Sequence, residues 1–455
     1  MPNIWLLTEE CPKVSTVMTI LSHFSIDFGQ PIITVSNPQI RPLYYSNRSF
    51  SFEYELLGVT IRNVAHIILC CASGDSSFCD YLLFYQNQKP DENKCDIPLM
   101  VIEETKTSDK ESRNSGIFQR GIKFVYARYF YPQTRQYMLY CNDYNPDHSN
   151  PTDTNIFGTN IYLNLGIKII GKEPYMSNFH PFANLNELIH FKNSMAPARY
   201  GVTTRIDDSN SDFISMSIRL VKNNGMTHDP GIGTVAVIAS GLRALGYYKP
   251  IVITQHGLTQ AIVNRARGNK LLYICQLLGV QLDGITIPYL ELPTSYWHYE
   301  KSSEKISSIF LHILAENNGL IPIFHNHAGC EKCYFISRYN EAIQVPKETL
   351  MPDVVFYDSA NDLVTVIEGK KFRTLNQGIK EVDSYKYIEN EYLINTNIGY
   401  DWCNLYRAVS IFGDRFPGIP HKRVLIYIDI DGYIYVNPTA PSPWIDIFHN
   451  EGLIK

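Results

Sequence analysis

The sequence predicts an α/β fold, with mixed β-sheets flanked by helices. Three observations lead there. Short runs rich in β-branched and aromatic residues recur along the chain; stretches with helix-length apolar periodicity separate several of them; and turn formers such as Asp431-Gly432 join others. The 455 residues suffice for two or three domains, and 45% hydrophobic with 19% charged residues is an ordinary globular composition.

In chain order, residues 60–71, 80–86 and 97–103 read as strands, and 115–130 as a helix running into a strand. Residues 142–155, dense in Asn, Asp and Pro, read as a loop and a candidate boundary. The middle alternates: a helix over 233–245 stopped by Gly246, a short strand over 250–254, and a helix over 258–278. Residues 302–316 form an amphipathic helix with a serine to cap it. Two hairpins follow, 352–357 with 363–368 across Asp358–Asp362, and 423–430 with 433–436 across Asp431-Gly432. This organisation divides the chain into segments 1–150, 151–300 and 301–455.

The net charge of −5 excludes a protein that coats nucleic acid by charge alone, although a sequence-reading enzyme needs only a local basic surface. Residues 195–280 supply one: nine Lys and Arg against four Asp give a local balance of +5. No apolar run reaches the roughly 18 residues needed to span a bilayer. The first residues lack the basic and apolar regions of a signal peptide, so the 10 cysteines read as reduced thiols and the location as cytoplasmic.

The sharpest feature lies in the first of the two hairpins. Pro352-Asp353 is followed by 14 residues and then Glu368-Gly369-Lys370. Carboxylates at the ends of adjacent strands can share one hard divalent cation through oxygen ligands. Strand alternation puts Glu368 and Lys370 on one face, where the lysine can polarise an attacking water or neutralise phosphate charge. Segment 376–389 looks like a helix packed behind this sheet, and Glu304, in the preceding helix, reads as a solvated residue at a helix N-terminus. The pattern resembles the PD-(D/E)xK nuclease superfamily. The resemblance implies a restriction-endonuclease-like core, Mg²⁺ held by Asp353 and Glu368, a catalytic Lys370, and hydrolysis of DNA phosphodiesters.

A second pattern lies upstream. Asp80 precedes Glu104-Thr105-Lys106 with 23 residues between Asp80 and Glu104. Val101-Ile102-Glu103-Glu104-Thr105-Lys106 parallels Val366-Ile367-Glu368-Gly369-Lys370-Lys371, and Gln119-Arg120-Gly121-Ile122-Lys123 parallels Gln377-Gly378-Ile379-Lys380. The echo suggests two divergent nuclease cores, at 1–150 and 301–455, with Asp80 and Glu104 as metal ligands and Lys106 beside them. Its register is open, because Glu103 matches Glu368 by sequence while Glu104 has the spacing to a lysine. Two working cores would each cut one strand, without the symmetric dimer that a palindrome demands of one-site enzymes.

Candidate DNA contacts are Arg113 and Gln119, Arg265, Arg267 and Lys270 on a middle helix, Gln377, and His327. Gln255, His256 and Gln260 are candidate base readers. Asp229-Pro230-Gly231-Ile232-Gly233 is a turn and helix cap, without the residues of a nucleotide-hydrolysing loop. His325, His327, Cys330 and Cys333 have zinc-binding side chains, but four ligands crowded into so short a stretch make a cramped chelate, and the reading favours no zinc. The resemblance thus implies a type II restriction enzyme that is Mg²⁺-dependent and acts on double-stranded DNA; the expectation is a monomer or dimer with no membrane partner. A cognate methyltransferase would accompany it without stable contact. The competing readings are a repair or modification-dependent nuclease on the same fold, and a non-cutting DNA-binding protein with degenerate sites.

Overall fold

The computed structural model describes the chain except residues 75–77, 94–95, 106–109, 141–150, 173–175, 197–204, 223–224, 226, 266–269, 292, 302, 327–332, 346–349, 387–388, 395–398, 401–403, 417–420 and 455. It is a mixed α/β protein in two compact units. One comprises Gly74–Leu82 and Asp91–Trp297; the other comprises Met1–Ser73, Leu83–Pro90 and His298–Lys455. Both units draw on the first 150 residues.

In the Gly74–Leu82 and Asp91–Trp297 unit, three parallel strands stand side by side: β1 (Met100–Thr105), β2 (Arg135–Tyr140) and β3 (Lys168–Gly171). Parallel pairing demands crossovers, and helices α1 (Lys110–Phe130) and α2 (Asp153–Asn164) supply them. The stretch read as a helix running into a strand is helical throughout. Helix α3 (Asp229–Ala244) packs against α1 so tightly that a Cβ on Gly233 would come 2.4 Å from the Phe118 carbonyl oxygen. Residues 229–233, read as a turn and cap before the helix, are instead the helix's first turn, capped by His228, and Gly233 within them serves helix packing. A smaller four-stranded sheet contains Ile251–Thr254. The helix expected over 258–278 is two, Gln260–Arg265 and Lys270–Leu278.

In the other unit, Asn3–Thr8 pairs in parallel with Ile67–Ser73, which in turn pairs with Phe50–Ile61 of a long antiparallel arm. The run read as one strand over 60–71 is therefore the end of one strand and most of the next. Helix α4 (Lys305–Asn317) leads into a six-stranded sheet whose spatial order follows the chain: β4 (Ile321–His325), β5 (Val354–Asp358), β6 (Leu363–Lys371), β7 (Asn404–Gly413), β8 (Val424–Asp429) and β9 (Ile434–Val436). Strands β4 to β6 are antiparallel to one another, while β6, β7 and β8 are parallel. Both expected hairpins form, and Gly432 at φ +83° takes the left-handed turn position of the second.

Period-two alternation sets the two faces of β6. Val364 and Val366 join Val382 and Tyr385 in a buried cluster against α5 (Leu375–Ser384). Thr365, on the opposite face, accepts a hydrogen bond from the buried Trp444 indole at 2.9 Å. Near-continuous burial of β6 matches the apolar run Leu363–Ile367, interrupted only by Thr365. Among the described residues no helix is long and apolar enough to cross a membrane.

Candidate active sites

The pairing of β5 with β6 sets Val354 opposite Ile367; Asp353, just before β5, bonds the Ile367 carbonyl through its own N–H at 3.1 Å, and its carboxylate lies beside Gly369, next to Glu304 and Ser308 of the α4 segment. Asp353 is held there by its Oδ2, which accepts the Gly369 N–H at 2.8 Å. A Cβ at 369 would lie 2.5 Å from that oxygen, so glycine is what allows the carboxylate to rest on the backbone. Glu368 is 6% exposed. Its Oε2 accepts the Tyr385 hydroxyl at 2.5 Å, and its Oε1 is paired with the Lys370 ammonium. Lys370 also reaches Glu381 of α5 at 2.9 Å, and Gln377 donates to the same carboxylate at 2.7 Å. Gly378 clears room for the lysine stem, since a Cβ there would approach Lys370 Cγ to 2.6 Å.

The electrostatics follow from this crowding. Burial, then the neighbouring Glu368, push the Asp353 carboxyl well above the usual carboxylate range; burial also raises Glu368, against the opposing hydrogen bonds of Lys370 and Tyr385. Burial works against a charged Lys370, but its bonds to Glu368 and Glu381 win and raise its pKa. Burial and Glu368 keep the Tyr385 phenol protonated, hence a donor. Two close, poorly hydrated carboxylates beside one lysine form a site that gains by taking up a further positive charge. Glu304 is exposed, and its charge reaches Asp353 as the smallest of the influences on it.

A second constellation lies in the Gly74–Leu82 and Asp91–Trp297 unit. Asp80 Oδ2 accepts the Glu104 N–H at 2.6 Å, repeating the bond between Asp353 and Gly369. That bond settles the register left open by the sequence: Glu104 stands where Gly369 does, and Glu103 where Glu368 does. Glu103 is 3% exposed and bonds Lys123 at 2.9 Å, with Arg120 at 3.9 Å. Lys123 also reaches Asp80 at 3.3 Å. Burial, then Asp80, raise the Glu103 carboxyl to about 8 against the pull of Lys123 and Arg120. The expectation for Glu104 is corrected, because alternation along β1 turns its side chain to the other face, where Tyr81 donates to it at 2.5 Å. In the corrected register the position of Lys370 falls to Thr105, which is buried. Lys106 lies outside the described residues.

The candidate DNA contacts scatter. Gln377 joins the Lys370–Glu381 network, and Gln119 is partly buried on α1. Arg265 is exposed and folds back on the Ala261 carbonyl at 3.0 Å; Lys270 opens the next helix. Arg113 lies on α1, and its side chain, like Arg267 and His327, is outside the described residues. Two candidate base readers are committed to structure: His256 is buried between the Asp283 carbonyl and the Leu258 N–H, and Gln260 clasps the Thr286 backbone. His325 ends β4, while His327 and Cys330 fall outside the description. Cys11, His312 and Glu316 do gather ligand atoms within 4.8 Å of one another, with the two α4 residues one turn apart.

Sequence reasoning missed Glu381, Tyr385 and Lys123 as members of these sites. The first two carried a signal: Gly378, Glu381 and Tyr385 recur at helical spacing on one face. Comparison with protein-family models, with characterised proteins and with solved structures returned no match.

Proposed function

We propose that this chain is a Mg²⁺-dependent endodeoxyribonuclease with a restriction-endonuclease-like core, and that Asp353, Glu368 and Lys370 are its catalytic residues. The observation that carries the reading is the Asp353 carboxylate clamped to the Gly369 N–H directly after the buried Glu368, with Lys370 two residues beyond Glu368 along its face and paired to it.

The donor set fits the ion: two carboxylates, no thiolate or imidazole, and a shortage of positive charge that burial makes costly. Mg²⁺ held by Asp353 and Glu368 would lower the pKa of a bound water and offset charge gathering on the phosphate. The protein's own groups do the rest. Tyr385 and the Gly369 N–H fix the orientation of the two carboxylates. Glu381 keeps Lys370 charged and aimed along the strand face, where it can orient the attacking water or neutralise a phosphate oxygen. The substrate is double-stranded DNA and the role restriction, with a cognate methyltransferase acting separately.

Digestion of supercoiled plasmid and long linear DNA with Mg²⁺ tests the reading. Discrete fragments from the wild type, lost in Glu368→Ala, are expected. No cutting of DNA in any methylation state would instead leave a DNA-binding protein.

A further inference from the structure

We infer that Asp80, Glu103 and Lys123 form a second phosphodiester-hydrolysing centre, built on the plan of the first but with its lysine delivered from a helix. The inference rests on reading the Asp353 centre as a nuclease site, and it replaces the Asp80, Glu104 and Lys106 set that spacing suggests.

Three observations carry it. The first is the clamp: in both places an aspartate just before a strand accepts the backbone N–H one residue past a buried glutamate, at 2.6 Å for Asp80 and 2.8 Å for Asp353. The second is the frame. Glu103 and Glu368 each sit on a strand with a parallel neighbour, opposite Met138 and Val409, and each strand is followed by the helix that reaches its glutamate's surroundings. The third is the cation. Thr105 occupies the position of Lys370, yet Lys123 on α1 contacts Glu103 at 2.9 Å and Asp80 at 3.3 Å, touching both carboxylates of the pair. Glu103 lies at the level of the sheet and Lys123 on the helix covering it, so the lysine approaches from above the strand rather than along it.

A plain ion-pair network tying α1 to its sheet would need a lysine and a carboxylate. It would not need a second carboxylate clamped to the strand by a backbone N–H, nor the same clamp in the other unit. The substrate is a phosphodiester of one DNA strand. In the reaction the oxygen of water bonds to phosphorus, the bond from phosphorus to one sugar oxygen breaks, and the proton released by the water ends on that leaving oxygen. One centre per strand then makes a double-strand break from a single chain.

The test uses the full chain and duplexes labelled on one strand or the other, with Glu103→Gln, Lys123→Met and Glu368→Gln. Glu103→Gln and Lys123→Met are expected to nick one and the same strand, Glu368→Gln the opposite strand, and Glu103→Gln with Glu368→Gln neither. Mn²⁺ uptake, followed by loss of the free-ion electron paramagnetic resonance signal, should fall from two ions per wild-type chain to one in Glu103→Gln. Should Glu103→Gln fail to fold, Lys123→Met carries the nicking test. Double-strand cutting at wild-type rate by both Glu103→Gln and Lys123→Met, with unchanged Mn²⁺ uptake, overturns the second centre and leaves the first standing. Absence of cutting by the wild type removes the nuclease reading itself.

Discussion

The Asp353 and Asp80 constellations place the same groups by different routes. Around Asp353 the lysine shares a strand with its glutamate, and a glycine makes room for the clamped aspartate. Around Asp80 the lysine comes from a helix, and the clamping residue is a glutamate whose side chain is spent on Tyr81. What the two keep is a carboxylate pair and a cation in contact with it. What they do not keep is which backbone position supplies the cation. The comparison teaches that function at such a site is fixed by where charges meet, while sequence spacing records only one of the ways to bring them together.

The largest break in the comparison should come from the glutamate shared by both plans. Glu368→Gln keeps the shape and the Tyr385 contact but removes a charge, and cleavage of the strand served by this centre should fall on the order of 10³-fold. Rates on singly labelled duplexes measure it; a loss under tenfold would remove Glu368 from the chemistry. Gly369→Ala asks whether the clamp matters. A methyl group 2.5 Å from Asp353 Oδ2 must push the carboxylate aside, and misplacing a reacting group by about 1 Å costs about 10²-fold. Wild-type cleavage by a folded Gly369→Ala would show that Asp353 need not rest on the backbone. Tyr385→Phe is gentler. Losing one hydrogen bond to a buried carboxylate costs about 1.5–3 kcal/mol, so the rate should drop roughly 10- to 150-fold. A drop confined to thermal stability, with cleavage unchanged, would make Tyr385 a packing residue only.

The Asp353, Glu368 and Lys370 part of the first site was legible in the sequence because those groups are local, while Glu381 on the following helix and Tyr385 at its end were not read. A Pro-Asp pair, a hairpin turn and Glu368-Gly369-Lys370 fall within one short segment, and alternation decides the faces. The fold class was legible for the same reason: apolar runs, caps and turn residues are local signals. The Asp80 site was only half legible. Glu103 and Glu104 are adjacent letters, and only pairing and parity decide which one faces Asp80. Lys123 is remote from both carboxylates in sequence and reaches them through the packing of α1, which no spacing rule encodes. The bonds that hold His256 to Asp283 and Gln260 to Thr286 were equally hidden, since polar letters on a loop do not reveal which of their hydrogen bonds are taken.

A stability effect separates Lys370, paired with two carboxylates, from Lys192, which has no ion pair among the described residues. Glu368 and Glu381 hold Lys370 charged, whereas burial alone pulls Lys192, packed over the Phe157 ring, down to about 8. The unfolded chain keeps an ordinary lysine near about 10.4. Below pH 8 both states carry the proton, and the folded state bears the full cost of burying it. Between about 8 and 10.4 the unfolded state binds more protons, so this residue's contribution to stability improves as pH rises, and above that range the cost is gone. Lys192→Met should therefore stabilise the protein by about 3 kcal/mol at pH 7, and that advantage should shrink towards zero by about pH 10.5. Denaturant unfolding of wild type and variant side by side at the two pH values measures it. An advantage of equal size at both would mean that methionine gains by packing alone and that Lys192 carries no buried-charge penalty, which would leave burial without a carboxylate partner as no different from burial with one.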